Sequence, residues 1–187
     1  MLERHNRAFK EWAVSCEAMR RGEQILLIRK GGIREDSGTF QIQDSEFFLI
    51  PTYEHQNARL LKPEYLPRLA EAQAQERLLS TIKIDSYAVV TGIYEAQDEA
   101  QVQAIKHECP WNSTYIQERF NFNPYDPLYL VVLRVYRLPK PCVTLMLPEY
   151  AGCKSWVTLA ESFSTEGAIP AVPDAEFEAR CRALALH

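Results

Sequence analysis

The chain has 187 residues, a formal net charge of -4, 47% hydrophobic residues and 25% charged ones. That length suits one domain with a sizeable core, and an aromatic share of 11% is more bulky material than a disordered chain carries. The acidic balance excludes a protein that coats phosphate indiscriminately, so any nucleic-acid role must rest on a local basic patch.

Residues 1–34 hold eight Lys and Arg against four Glu, which is +4 for this segment and -8 for the remainder. They form either a basic patch or a solvated helix face of mixed charge. Five cysteines (Cys16, Cys109, Cys142, Cys153, Cys181) are widely spaced and include no Cys-x-x-Cys pair. Neither a disulfide framework nor a zinc ribbon is expected. The start is polar and charged, unlike a secretory leader, and no apolar run approaches the ~20 residues that span a bilayer. The expectation is a cytoplasmic protein with no metal and no cofactor.

Phe9, Trp12, Cys16 and Met19 recur at helical steps and predict an amphipathic helix, with Gly22 as a left-handed cap beyond its end. Gln24 to Ile28 is a short apolar run and reads as a buried strand, stopped by Gly31-Gly32. Phe40 to Gln43 and Glu46 to Ile50 read as two more strands around a tight Asp44-Ser45 turn, with Pro51 ending the second. Lys62-Pro63-Glu64 opens a helix that runs to about Arg77. Ile82 to Glu95 is β-rich, and Gly92 inside it marks a bulge.

Asp98 to Gln101 has the form of a capping box for a helix over Glu99 to His107, ended by Cys109-Pro110. Asn112 or Ser113 caps a short helix holding Tyr115, Ile116 and Arg119. Leu128 to Leu138 is the most strand-like stretch in the chain, and Pro139 and Pro141 are expected to end it. Cys142 to Leu147 and Trp156 to Leu159 follow as shorter strands. Residues 1–165 are expected to form the single domain, and residues 166–187 a linker with a helical tail. This irregular order of helices and strands predicts an α+β fold with a mainly antiparallel, barrel-like sheet.

Arg29-Lys30-Gly31-Gly32-Ile33, then Phe47 through Gln56 with its Pro51-Thr52-Tyr53-Glu54-His55-Gln56 block, then Leu128 to Leu138, resemble the family called domain of unknown function 1802 over roughly residues 7 to 165. Some members of that family look associated with a restriction-endonuclease-type domain, so the resemblance implies a link to DNA and no particular reaction. A weaker likeness is to PUA-like barrels of the activating-signal-cointegrator-homology type. It rests on the order Glu11-Trp12, Gly22-Glu23 and Ile28-Arg29-Lys30. Two departures stand against that second likeness: no Gly-x-Lys precedes the strand, and Leu27 occupies the place of an acidic residue.

The candidate site residues follow from chemistry. Arg29, Lys30 and Arg34 surround Gly31 and Gly32, and consecutive amides in a glycine turn can cradle an anion while arginine grips phosphate. The same residues also suit a solvated turn, and no Walker-type loop is present. Tyr53, Glu54 and His55 follow a strand end, where His55 could transfer protons with Glu54 as its carboxylate, or else tie the loop to the sheet. Trp111, Tyr115 and Arg119 could stack a base and hold a phosphate, or pack a helix on the sheet. His107 and Cys109 are two apart and could share a metal, but they are two ligands where four are needed, and no partner pair stands at ligand spacing. Arg134, set in an apolar strand, needs a partner or a cavity. The leading expectation is a nucleic-acid- or nucleotide-binding module, linked to restriction-modification or RNA metabolism, in which Arg29, Lys30, Arg34, Tyr53, His55, Trp111, Tyr115 and Arg119 line one groove. A small phosphoester or nucleotide hydrolase using His55 and Glu54, and a protein-interaction domain, are the alternatives.

Overall fold

The computed structural model describes residues 1–30, 44–53, 55–76, 80–152 and 154–186. In chain order, the described residues form β1 (Arg4–Trp12), α1 (Ala13–Arg20), β2 (Leu26–Arg29), β3 (Glu46–Thr52), α2 (Leu66–Glu76), β4 (Thr81–Glu95), α3 (Glu99–Ile105), α4 (Ser113–Asn121), β5 (Tyr129–Leu145), β6 (Trp156–Ser164), β7 (Ile169–Pro170) and α5 (Asp174–Leu184). The strands make one sheet in the order β2-β5-β4-β3-β1-β6, with β7 added to β5. Every pairing is antiparallel except β1 with β3. The fold is α+β with a mainly antiparallel sheet. No described helix is long and apolar enough to cross a membrane.

The sheet curls. β1 and β2 stand three strands apart in the order, yet Phe9 of β1 and Leu27 of β2 belong to one buried cluster with Phe47, Leu49, Val131 and Leu133. Residues of alternate parity on the same strands face outward: Leu26, Ile28, Leu130 and Val132 pack under α3, α4 and α5. Period-two alternation thus buries both faces of β2 and β5.

Two local expectations are corrected. The stretch from Phe9 to Trp12 is strand, and the helix begins only at Ala13. β1 lies between β3 and β6, so ladder bonds on both edges outweigh the helical spacing of its apolar residues. Cys16 and Met19 still join Phe9 in the interior cluster, from α1. The second correction concerns proline. β3 runs through Pro51 to Thr52, because its pairing with β4 stops at Phe48, and Pro51 then has no β4 partner to donate to. β5 likewise runs through Pro139 and Pro141. Both fall in a stretch where the register jumps from Ser86↔Arg137 to Ile84↔Cys142, so neither occupies a ladder position. The segment expected as a separate strand from Cys142 is the far half of β5.

Other expectations hold. Gly22 has φ of +77° and closes the α1 end, with its amide bonded to Met19 O at 3.0 Å. Asp98 accepts from Gln101 N at 2.8 Å, and Asn112 from Tyr115 N at 3.2 Å. The register of β4 slips between Val90 and Gly92, where the bulge was placed. In the stretch 166–187, expected as a linker and helical tail outside the domain, Ile169–Pro170 instead pairs with β5, and α5 buries Phe177 and Leu184 in the cluster under the sheet. Arg180 of α5 donates to Glu108 and to Gly22 O. The predicted strand Phe40 to Gln43 lies outside the described residues.

Candidate functional site

The first cations of the basic turn face inward. Arg29 ends β2 and donates from Nη1 to Glu11 Oε2 at 3.1 Å and from Nη2 to Ser155 Oγ at 2.8 Å. Its guanidinium lies 4.8 Å from the centre of the Phe9 ring. Glu11 is only 6% exposed, and its other oxygen accepts from Trp12 N. Arg29 therefore joins β2 to β1 at the place where the curled sheet has no ladder between them. Lys30 donates to Phe120 O at 2.7 Å, sits 5.9 Å from the Phe120 ring, and has its pKa lowered by loss of solvent. It satisfies a carbonyl in the last turn of α4, as a cation at a helix C-terminus does.

The aromatic group is equally occupied. Trp111 and Tyr115 are 2% and 4% exposed. Their rings stack at 4.2 Å, and Trp12 meets Trp111 edge-on at 5.0 Å. Arg119 covers the Tyr115 ring at 4.9 Å, and the Tyr115 hydroxyl donates to Ile28 O at 3.4 Å. These faces have protein partners. Arg29, Lys30, Trp111, Tyr115 and Arg119 are brought together at the end of β2, but as packing. Gly31, Gly32, Arg34 and Glu54 lie outside the described residues.

His55 is exposed, has φ of +60°, and lines neither cleft described below. No hydrogen bond orients its ring among the described residues. Gln56 performs the tethering instead: its Oε1 accepts from Val14 N at 3.4 Å at the start of α1, and its Nε2 donates to Tyr53 O at 3.3 Å. His107 is on the surface and Cys109 is buried, its thiol pushed up to about 11 by burial. No group of three metal-ligating side chains occurs among the described residues. Arg134 finds its partner in Asp174 at the start of α5 and lies 4.5 Å from the Phe177 ring, while its Nη1 is buried without a hydrogen bond.

Tyr53 has a different setting. It stands just past the end of β3 and lines a cleft of about 290 Å³ with Lys10, Thr52, Thr81, Lys83 and Tyr150, over an apolar floor that includes Ile50, Pro51 and Ile82. Lys83 is 65% exposed on its side chain and 3.8 Å from Asp85. Lys10 donates to Tyr150 O at 2.8 Å and to Gly152 O at 2.6 Å, which fixes its ammonium at the rim. No carboxylate is found among the described residues lining this cleft. The Tyr53 hydroxyl has no hydrogen bond among the described residues, and burial, then Cys16 and Asp85, raise its pKa. Both lysines owe their place to register. Ile82 and Ile84 of β4 point to the core and Lys83 points away, while the parallel pairing of β1 and β3 sets Lys10 opposite Ile50. In the sequence Lys10 stands out only as one of the N-terminal cations, and Lys83 does not stand out at all. The signal for Lys83 was its place between two buried isoleucines.

The sequence profile of the family described as Domain of unknown function (DUF1802) matches residues 8–183, and the chain belongs to that family. No curated protein matches it in sequence. Among solved structures, the crystal structure of ASCH from Zymomonas mobilis is similar at 10% identity and a TM-score of 0.42, over 77% of this chain and 89% of that one. A serine-to-alanine mutant of the same protein is similar at 11% identity and 0.40, over 80% and 94%. A tyrosine-to-phenylalanine mutant is similar at 11% identity and 0.40, over 77% and 91%.

Proposed function

We propose that this member of the family binds a nucleotide unit of a nucleic-acid chain at the Tyr53 cleft, with Lys83 and Lys10 at the phosphate. The observation that carries the reading is a cleft with two ammonium groups and no described carboxylate in its lining, on a chain whose net charge is negative. Phosphate is drawn to a local positive rim, where low-dielectric walls strengthen the attraction. The apolar floor suits the face of a base, and the unbonded Tyr53 hydroxyl supplies a donor for a ligand oxygen. The volume suits one nucleotide and leaves no room for a duplex.

This reading shifts the anion contact from Arg29 and Lys30 to Lys83 and Lys10. It leaves the hydrolase alternative without a seated acid-base pair among the described residues, since His55 lines neither cleft. A protein-interaction domain would present an apolar face with no concave polar site, and the Tyr53 cleft counts against it.

The test is binding of short single-stranded RNA and DNA oligomers over a series of salt concentrations. Binding is expected to weaken as salt rises, and Lys83→Ala to reduce the slope of that dependence by about one. Absence of binding at low salt, or binding indifferent to Lys83→Ala, removes the reading.

A further inference from the structure

A second cleft, of about 340 Å³, adjoins the first and shares Pro51, Tyr53, Thr81 and Lys83 with it. The rest of its wall comes from α1 and the Arg21 that follows it, from Leu49 of β3, and from α2 and β4. Its charge differs in kind from that of its neighbour. Here three carboxylates, Glu17, Glu71 and Asp85, alternate with Arg20, Arg21 and Arg68. Most of these groups are already held. Glu17 accepts from Arg20 at 2.8 Å and from Arg21 at 2.6 Å. Asp85 accepts from the Ser86 hydroxyl at 2.9 Å and lies 3.7 Å from Arg20. Arg68 grips Glu23 with two nitrogens. Glu71 is the exception: it is exposed on α2, lines the cleft, and has no hydrogen bond or ion pair among the described residues.

A carboxylate only accepts hydrogen bonds, so a free one facing a groove selects a donor. Among base edges, the exocyclic amines of adenine and cytosine are donors, and the matching position of uracil is a carbonyl oxygen that a carboxylate repels. Tyr53 belongs to both clefts, so a base placed against its ring extends from the lysine rim into the second cleft.

Building on the groove reading above, we infer that the base seated on the floor of the first cleft turns its polar edge past Tyr53 into the second, and that Glu71 there selects bases bearing an exocyclic amine. Specificity and affinity are thereby divided: the lysine rim holds any nucleotide, and the carboxylate wall chooses among them.

The experiment measures the affinity of the full chain for single-stranded homo-oligomers of adenine, cytosine and uracil at one low salt concentration. The comparison is repeated with Glu71→Gln and with Lys83→Ala. Adenine and cytosine oligomers are expected to bind roughly fivefold or more tightly than uracil oligomers. Glu71→Gln should abolish that preference, chiefly by raising uracil affinity as the repulsion is lifted, and Lys83→Ala should weaken all three alike. Equal affinity of the unaltered protein for the three, with Lys83→Ala still weakening them, overturns the base selection and leaves the groove reading standing. A preference that survives Glu71→Gln also overturns it. No binding of any oligomer removes both readings.

Discussion

The end of β2 and the end of β3 offer contrasting uses of positive charge. At the first, Arg29 and Lys30 meet Glu11, Ser155 and a helix carbonyl, and the aromatic rings alongside are stacked on each other. At the second, the exposed Lys83 stands at an open cleft lined by Tyr53, whose hydroxyl has no hydrogen bond among the described residues, while Lys10 is held at the rim by the carbonyls of Tyr150 and Gly152. The first region contains most of the residues whose types suggest phosphate and base binding. The second contains the exposed geometry. The contrast teaches that a cation's value for binding depends on what its neighbours have already taken. The rest of the N-terminal basic third follows the same pattern: Arg4 bonds to Ser162 O, Arg7 to Asp44 and Thr158, and Arg20 and Arg21 to Glu17.

Separating stability from binding sharpens this contrast most at Trp111. Trp111→Ala removes a ring that is 2% exposed and leaves a cavity between Trp12 and Tyr115, at a cost of about 4 kcal/mol in urea unfolding. Binding per folded molecule should not change. If the milder Trp111→Phe keeps stability but loses oligomer binding, the α4 face belongs to the interface and the contrast fails.

Next in size is Glu11→Ala. It leaves the Arg29 guanidinium, 18% exposed, without its carboxylate at the β1–β2 seam, and about 3 kcal/mol of stability should go with it. Replacing both partners with apolar residues, Glu11→Leu with Arg29→Met, should recover much of that loss, since it strands no buried charge. Lys83→Ala is the counterpart. Its exposed side chain contributes less than about 0.5 kcal/mol to folding, while oligomer binding falls. A large unfolding effect at Lys83 would show that it, too, is held by the fold.

Much of the fold was legible because short-range chemistry decides it. The caps at Asp98 and Asn112, the left-handed Gly22 and the bulge beside Gly92 each need a residue type at one place. Residues 9–12 misled because helical spacing and a central strand both bury Phe9. Only the strands on either side, distant in sequence, choose between them. Pro139 and Pro141 misled for a related reason: proline stops a ladder, and here the strand steps out of register to pass them. The site was less legible. Residue types marked Arg29 and Trp111 correctly as unusual, but their partners, Glu11 and Trp12, are set by the curl of the sheet, which no local pattern carries.

The smallest expected effect bears on the groove wall itself. Burial alone would raise the Glu17 carboxyl, but hydrogen bonds and charge from Arg20 and Arg21 outweigh it and hold the group below its ordinary 4.5. With its folded pKa depressed, Glu17 binds fewer protons folded than unfolded in the acid range. Its contribution to stability is therefore complete above the unfolded value, and it is lost as pH falls through the lowered one. Because Glu17 is 30% exposed, the contribution is below about 1 kcal/mol and screened by salt. The urea midpoints of the unaltered protein and Glu17→Gln should differ slightly at neutral pH and converge in acid and in high salt. The loss in Glu11→Ala should persist in high salt, because its pair is shielded from ions. A Glu17 difference that ignores salt would place the groove wall in the same class as the Arg29 seam, and its charges would then be too firmly engaged to read a ligand.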